Sequence, residues 1–161
     1  MKDYYESRNL NVFKYMPETY LVPSQANFEL HPQFKAFKAA CKEGQLWIFK
    51  PGESTNRGNG IRVFNDFDKI KAHLVEYCRN AENRRGQGRH RTCIIQKYIK
   101  KPLLIHRRKF DIRVFALAVC HADTNRIRGY FYDEGYLRTS SKDFNVDKWD
   151  NRLIHLTNDA V

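Results

Sequence analysis

Clustered cysteine is missing from this chain. Its four cysteines, Cys41, Cys78, Cys93 and Cys120, stand singly, with no Cys-x-x-Cys pair and no paired histidine spacing. Disulfide frameworks and structural zinc sites need clustered ligands, so reduced thiols in a cytosolic protein are the expectation. The six histidines are equally dispersed and suggest no nucleophilic triad. No apolar run is long enough to span a bilayer. The N-terminal MKDYYESRNL lacks the apolar core of a signal peptide. A soluble, intracellular protein without a membrane partner is therefore expected. No internal repeat is found. Acidic residues are the minority, 18 against 29 basic, for a net charge of +11. That surplus draws polyanions (nucleotide phosphates, nucleic acid, anionic lipid, acidic protein tails) without choosing among them.

What is present points to a globular fold. The 161 residues are enough for one core, and 42% are hydrophobic, with eleven Phe, nine Tyr and two Trp. Residues 1–30 read as irregular, punctuated by Pro17 and Pro23, with Pro32 following. Phe34, Phe37 and Cys41 recur at helical spacing over His31–Lys42, with Gly44 as the stop. Leu46–Phe49 reads as a strand and Gly60–Phe64 as its hairpin return. Phe67, Ile70, Leu74, Tyr77 and Cys78 share one face of a helix over 66–79, with Asn65 as its N-cap. Arg84–Arg91 is the densest basic patch and reads as a solvated loop. Thr92–Ile99 is a strand, and Lys109–Cys120 is the longest one. Arg128–Asp133 with Tyr136–Arg138 reads as the next pair. The fold class is α+β, a mostly antiparallel sheet with flanking helices.

Two segments carry chemistry. In Lys109–Phe115 charged and apolar residues alternate. Successive strand side chains point to opposite faces, so Lys109, Asp111 and Arg113 align on one face and Phe110, Ile112 and Val114 on a core face. Two cations and a carboxylate in a row suggest a polyanion-and-metal site. Pro51–Gly60 is rich in glycine and small polar residues, which let a backbone approach an oxyanion closely. Arg57 stands where a Walker loop needs its second glycine, and Val63 where a dinucleotide fingerprint needs its third. The alternative is a plain hairpin loop. Lys50, at the end of a buried strand beside that loop, supplies a point charge for phosphate.

Five strings occur in order: LWIFKPGESTNRGNGI, QKYIKKPLLI, RKFDIRVF, EGYLRTSS and HLTN. Together they resemble the tubulin–tyrosine ligase-like family, over residues 1–161, and the resemblance implies a partial ATP-grasp-like domain. It also implies roles. Lys50 would contact nucleotide phosphates, under a loop carrying Ser54, Arg57, Gly58, Gly60 and Ile61. Gln96, Lys97, Tyr98 and Ile99 would form the hinge around adenine. Lys109, Asp111 and Arg113 would face the reacting phosphate and acceptor. Arg138 would hold the carboxylate of the incoming amino acid. His155, Leu156, Thr157 and Asn158 would shape the ATP and amino-acid pocket.

The implied function is ATP-dependent ligation of a free amino acid (glutamate, tyrosine or glycine) to an acidic protein tail, tubulin's C-terminal tail first, through an acylphosphate. HLTN and RTSS stand closer to the tyrosine- and glutamate-adding branches than to the glycine-adding one. ATP and Mg²⁺ are the implied cofactors. The family's magnesium ligands, an Asp and a later Glu-x-Asn, are expected beyond Val161. Adjacent Asp133 and Glu134, on opposite faces of a strand, are no substitute. The chain as it stands is thus expected to be incomplete and without turnover. The alternative is a catalytically inactive module that binds nucleotide or tubulin tails. Nucleic acid is a disfavoured partner, because strand aromatics share faces with aliphatics rather than interleaving with Lys and Arg. The family implies a cytoplasmic, cytoskeletal location, with the cilium or axoneme among its settings.

Overall fold

The structure, a computed structural model, describes residues 2–52, 58–83 and 92–157. Ser54, Arg57, Asn158 and the basic patch Arg84–Arg91 lie outside them. Four helices and nine strands run in the order α1 (Lys2–Glu6), β1 (Thr19–Pro23), α2 (Pro32–Ala40), β2 (Trp47–Pro51), β3 (Arg62–Phe64), α3 (Phe67–Asn83), β4 (Thr92–Lys97), β5 (Leu104–Ile105), β6 (Arg108–Arg113), β7 (Ala116–His121), β8 (Arg126–Phe131), β9 (Tyr136–Thr139) and α4 (Arg152–His155). All strand pairs are antiparallel, in three sheets ordered β1-β4-β2-β3, β5-β6-β9 and β7-β8. The expected α+β class, with mostly antiparallel sheet and flanking helices, holds.

The first sheet owes its two faces to strand alternation. Tyr20 and Val22, Trp47 and Phe49, and Cys93 and Ile95 point one way and meet Phe34, Phe37, Ile70, Leu74 and Cys78 from α2 and α3. Trp47, Phe37, Ile70 and Leu74 are fully buried there. This aromatic-rich core anchors the sheet. The opposite face carries Ile48, Val63 and Tyr98, which with Leu46 are covered by Ile61, Phe144, Val146 and Trp149. The register sets Thr19, Gln96 and Ile48 in one row on that face, and Leu21, Ile94 and Lys50 in the next. It is on this second face, where the cover stops, that polar side chains gather.

Several expectations are corrected. The segment 1–30 is not irregular throughout, because β1 pairs with β4 and edges the central sheet. Helix α3 is a turn longer than its periodicity predicts, and its cap is Asp66, whose Oδ1 accepts from Lys69 N at 2.9 Å, not Asn65. The strand predicted over Lys109–Cys120 is two strands, β6 and β7, in different sheets. Strand β9 pairs with β6 rather than with β8, so β7–β8 is a hairpin inserted between partners. The face opposite Lys109 and Asp111 is not core: Phe110 is half-buried, but Ile112 and Val114 are 61% and 52% exposed. Asp133 and Glu134 sit in the turn between β8 and β9, not on a strand.

Candidate active site

The site is assembled from the open face of the first sheet and from β6 and β9 of the second. Lys50, the fourth residue of β2, extends toward β4, where its Nζ donates to Gln96 Oε1 at 2.8 Å. Gln96 Nε2 donates in turn to Thr19 Oγ1 on β1 at 2.8 Å, and that hydroxyl donates to Pro17 O at 2.7 Å. The polar row thus crosses three strands in a single hydrogen-bond direction. Lys109, the second residue of β6, donates from Nζ to His155 O at 2.9 Å and lies 5.4 Å from the Tyr98 ring centroid. Ser140, fully buried, holds the β6 backbone here: its Oγ accepts from Lys109 N at 3.2 Å and its N donates to Lys109 O at 2.7 Å.

Electrostatics single out the two lysines. Burial pushes the Lys50 ammonium below its ordinary pKa. Burial also lowers that of Lys109, the charge of Lys50 lowers it further, and Asp111 opposes both. The Lys50 charge is felt at Lys109, so the two ammonium groups share one electrostatic neighbourhood. Among the described residues neither has a carboxylate at ion-pair distance. Two partly desolvated cations without an ion-pair partner among the described residues form a place where an anion is favoured.

Beyond Lys109 the second sheet supplies a carboxylate and two guanidinium groups. Asp111 and Arg138 face each other in register across β6 and β9. Arg138 Nε donates to both Asp111 carboxylate oxygens at 3.1 Å and Nη2 donates to Oδ2 at closer range. Burial raises the Asp111 pKa, but the Arg138 hydrogen bonds, the Thr157 hydroxyl and the Arg138 and Arg113 charges outweigh it and hold the carboxyl below its ordinary value. Asp111 is therefore an anion at neutral pH, already engaged. Among the described residues no group of three His, Cys, Asp or Glu side chains could hold a metal ion. The described residues do not by themselves form a magnesium site.

His155 joins the two sheets. Its Nε2 lies 2.9 Å from Lys148 O, a carbonyl that can only accept, so Nε2 carries the proton. Nδ1 is then an acceptor, and Tyr98 Oη, 2.7 Å away, donates to it. Burial and the Lys109 charge lower the His155 pKa, against the Lys148 carbonyl and Asp150, which raise it. The imidazole is neutral. Burial pushes the Tyr98 phenol up to about 12, so it stays a donor.

Of the residues singled out from sequence, Lys50, Gln96, Tyr98, Lys109, Asp111, Arg138, His155 and Thr157 come together, with Arg113 at the margin. Others do not. Lys97 alternates away from Gln96, and its Nζ pairs with Glu18 at 3.2 Å. Ile99 is 56% exposed. Gly60 and Ile61 line a neighbouring cavity of about 290 Å³ with Trp149 and His155. Gly58 and Gly60 hold positive φ, +73° and +76°, which only glycine adopts freely. The buried Gly58 offers its carbonyl to Arg152 Nη2 at 3.2 Å. Sequence reasoning missed Thr19 and Ser140. Ser140 had a signal, since it lies inside the EGYLRTSS string, but Thr19 had none.

Comparison with known proteins identifies the family. Residues 1–161 match the Tubulin-tyrosine ligase family. Among individual relatives, tubulin glycylase 3B of Tetrahymena thermophila is 38% identical over 116 residues, 72% of this chain and 8% of that protein. Tubulin glycylase 3B of Drosophila melanogaster is 40% identical over 116 residues, 72% of this chain and 13% of that protein. The human probable tubulin polyglutamylase TTLL2 is 29% identical over 152 residues, 94% of this chain and 22% of that protein. The chain spans less than a quarter of the length of each of these three relatives. Mostly antiparallel sheets with flanking helices are consistent with a partial ATP-grasp-like domain of this family. The chain belongs to the tubulin-tyrosine ligase family.

Proposed function

We propose that this chain supplies the nucleotide-binding part of an ATP-dependent ligase that joins an amino acid to an acidic protein tail, with tubulin's tail as the acceptor. The observation that carries this reading is the pair Lys50 and Lys109, two partly buried ammonium groups brought together without a carboxylate partner among the described residues. The names of the relatives, tubulin glycylases and a probable tubulin polyglutamylase, support tubulin as the acceptor and either glycine or glutamate as the added residue. A surface of net charge +11 favours approach of an acidic tail.

The chemistry is two displacements. An acceptor carboxylate oxygen bonds to the γ-phosphorus of ATP as the bond to the β–γ bridging oxygen breaks, releasing ADP and leaving an acylphosphate. The amine of the free amino acid then attacks the acyl carbon. The C–O bond to phosphate breaks, an amide forms, and the amine loses a proton to solvent. Lys50 and Lys109 neutralise phosphate charge, and Arg113 adds a cation at the far end of β6. Arg138, held by Asp111, adds positive charge for the amino-acid carboxylate. Since the described residues do not make a magnesium site, no step here is routed through the metal.

Calorimetric titration with ATP in the presence of Mg²⁺ tests the reading on wild type, Lys50→Ala and Lys109→Ala. Loss of one charge-assisted contact of about 1.5–3 kcal/mol predicts a roughly tenfold or greater weakening for each variant. Equal affinity in all three removes the phosphate role from both lysines.

A further inference from the structure

The row that crosses β1, β4 and β2 has a direction. Thr19 spends its single hydroxyl proton on Pro17 O, at 2.7 Å, so toward Gln96 it can only accept. The atom of Gln96 that faces it, 2.8 Å away, must therefore be the NH₂ nitrogen. The amide oxygen is left on the other side, where Lys50 Nζ reaches it at 2.8 Å. Turning the amide over would set Gln96 NH₂ against the Lys50 ammonium, donor to donor, and would pull the Thr19 proton away from Pro17. Two neighbours thus hold the same orientation in the free protein. On the nucleotide-binding reading Lys50 would share its ammonium with phosphate, whereas the Thr19 contact would be unshared. Thr19 is then the anchor that remains.

Resting on the nucleotide-binding reading above, we propose that Thr19 is a positioning residue for base selection. By fixing Gln96 with Oε1 on the Lys50 side, where the nucleotide would lie, it favours a purine bearing a 6-amino group over one bearing a 6-oxo group. A carbonyl oxygen has two lone pairs, so Gln96 Oε1 can accept from a 6-amino group. A 6-oxo group in the same place meets acceptor with acceptor, and neither oxygen is satisfied. The selectivity follows from which end of one amide faces the base, and that end is chosen by a hydroxyl on a different strand.

Thr19 lies on edge strand β1, where valine has the same shape and the same strand preference, so Thr19→Val removes the hydroxyl with little cost to the fold. Thr19→Ser keeps the hydroxyl. Calorimetry with the magnesium complexes of ATP, GTP and ITP, on wild type and both variants, reads the proposal. ITP is included because it has the 6-oxo group without the 2-amino group of GTP. Wild type and Thr19→Ser are expected to prefer ATP over both 6-oxo nucleotides, and Thr19→Val is expected to lose about tenfold of that preference. Gln96→Glu carries oxygen at both ends, so in that background Thr19→Val is expected to leave the ratio unchanged; should Thr19→Val fold poorly, Thr19→Ala is a second hydroxyl-free variant with the same expected loss of preference. An unchanged ATP-to-ITP ratio in Thr19→Val, or a Thr19→Ser that behaves like Thr19→Val, overturns the role of Thr19 while the nucleotide reading stands. Failure of wild type to bind any of the three overturns both.

Discussion

Tyr98→Phe removes one oxygen from a residue that is 7% exposed, and what that oxygen was doing sets the size of the loss. The Tyr98 hydroxyl donates to His155 Nδ1 at 2.7 Å, and His155 is itself 2% exposed. Phenylalanine fills the same space, so there is no cavity term. The loss is the hydrogen bond plus the cost of leaving a buried acceptor nitrogen without a partner, together about 1–3 kcal/mol. For a chain of this length that corresponds to a fall in melting temperature of roughly 2–12 °C. Chemical denaturation followed by tryptophan fluorescence is a suitable assay. The cycle should be completed with His155→Gln and the double variant. Because the two side chains touch, the single effects should not add, with a coupling of about 1 kcal/mol. Additive losses, or a Tyr98→Phe variant as stable as wild type, would refute the assignment of the hydroxyl as donor to a neutral imidazole.

Two further outcomes follow from the same structure. A Cβ on Gly135 would stand 2.7 Å from the backbone oxygen of Arg113, whereas one on Gly129 would meet nothing within 4 Å. Gly135→Ala is expected to destabilise by about 1–3 kcal/mol as β6 and β9 are forced apart, and Gly129→Ala to stay within roughly 0.5 kcal/mol of wild type, read from urea midpoints. The second concerns acid. His155 has its pKa lowered in the folded protein, chiefly by burial and then by the Lys109 charge, so the unfolded chain takes up the proton first. Its contribution to stability is complete above the ordinary value of 6.5 and is lost as pH falls below that toward the lowered folded value. His73, half-buried against Phe49 and Phe64, has its pKa lowered by burial in the same sense, so the readout is a difference. The stability gap between wild type and His155→Gln should narrow between about pH 7.5 and pH 5.5, and a gap that widens contradicts the neutral assignment.

Local patterns made some of this molecule legible and non-local ones hid the rest. Helix α3 was readable because Phe67, Ile70, Leu74 and Cys78 repeat at the helical period within one segment. Strand β1 was not, since Pro17 and Pro23 bracket it and its partner β4 lies far along the chain. Proline at the end of an edge strand costs no ladder bond on the solvent side, so the punctuation misled. The join between β6 and β7 was invisible for a similar reason: Val114-Phe115-Ala116 continues the apolar run, while the break comes from β9 returning to β6. Gly135 marks that return, where the chain passes too close to Arg113 for any side chain. In the site, alternation alone predicted that Lys109 and Asp111 share a face. It could not predict that Arg138 would be the register partner of Asp111, nor that Thr19 would hold Gln96.

The two sheets supply the candidate site jointly, and His155 shows why neither would do so alone. Lys50 and Gln96 belong to the first sheet, Lys109 and Asp111 to the second. The hydrogen bond from Tyr98 to the His155 ring and the one from Lys109 to the His155 carbonyl tie both sheets to one residue of a four-residue helix. Such a short helix has little stability of its own. Its position comes from the burial of Ile154, His155 and Leu156 and from the Asn151 side chain, which accepts from Leu153 N at 3.1 Å. Lys109 therefore couples structure to the binding role proposed for it. Its ammonium carries three N–H donors, and the one on the His155 carbonyl helps hold the sheets together. On the proposed reading the others face phosphate, so a bound polyanion would bridge Lys50 on one sheet to Lys109 on the other. Its binding free energy would then add to the stability of the site that receives it.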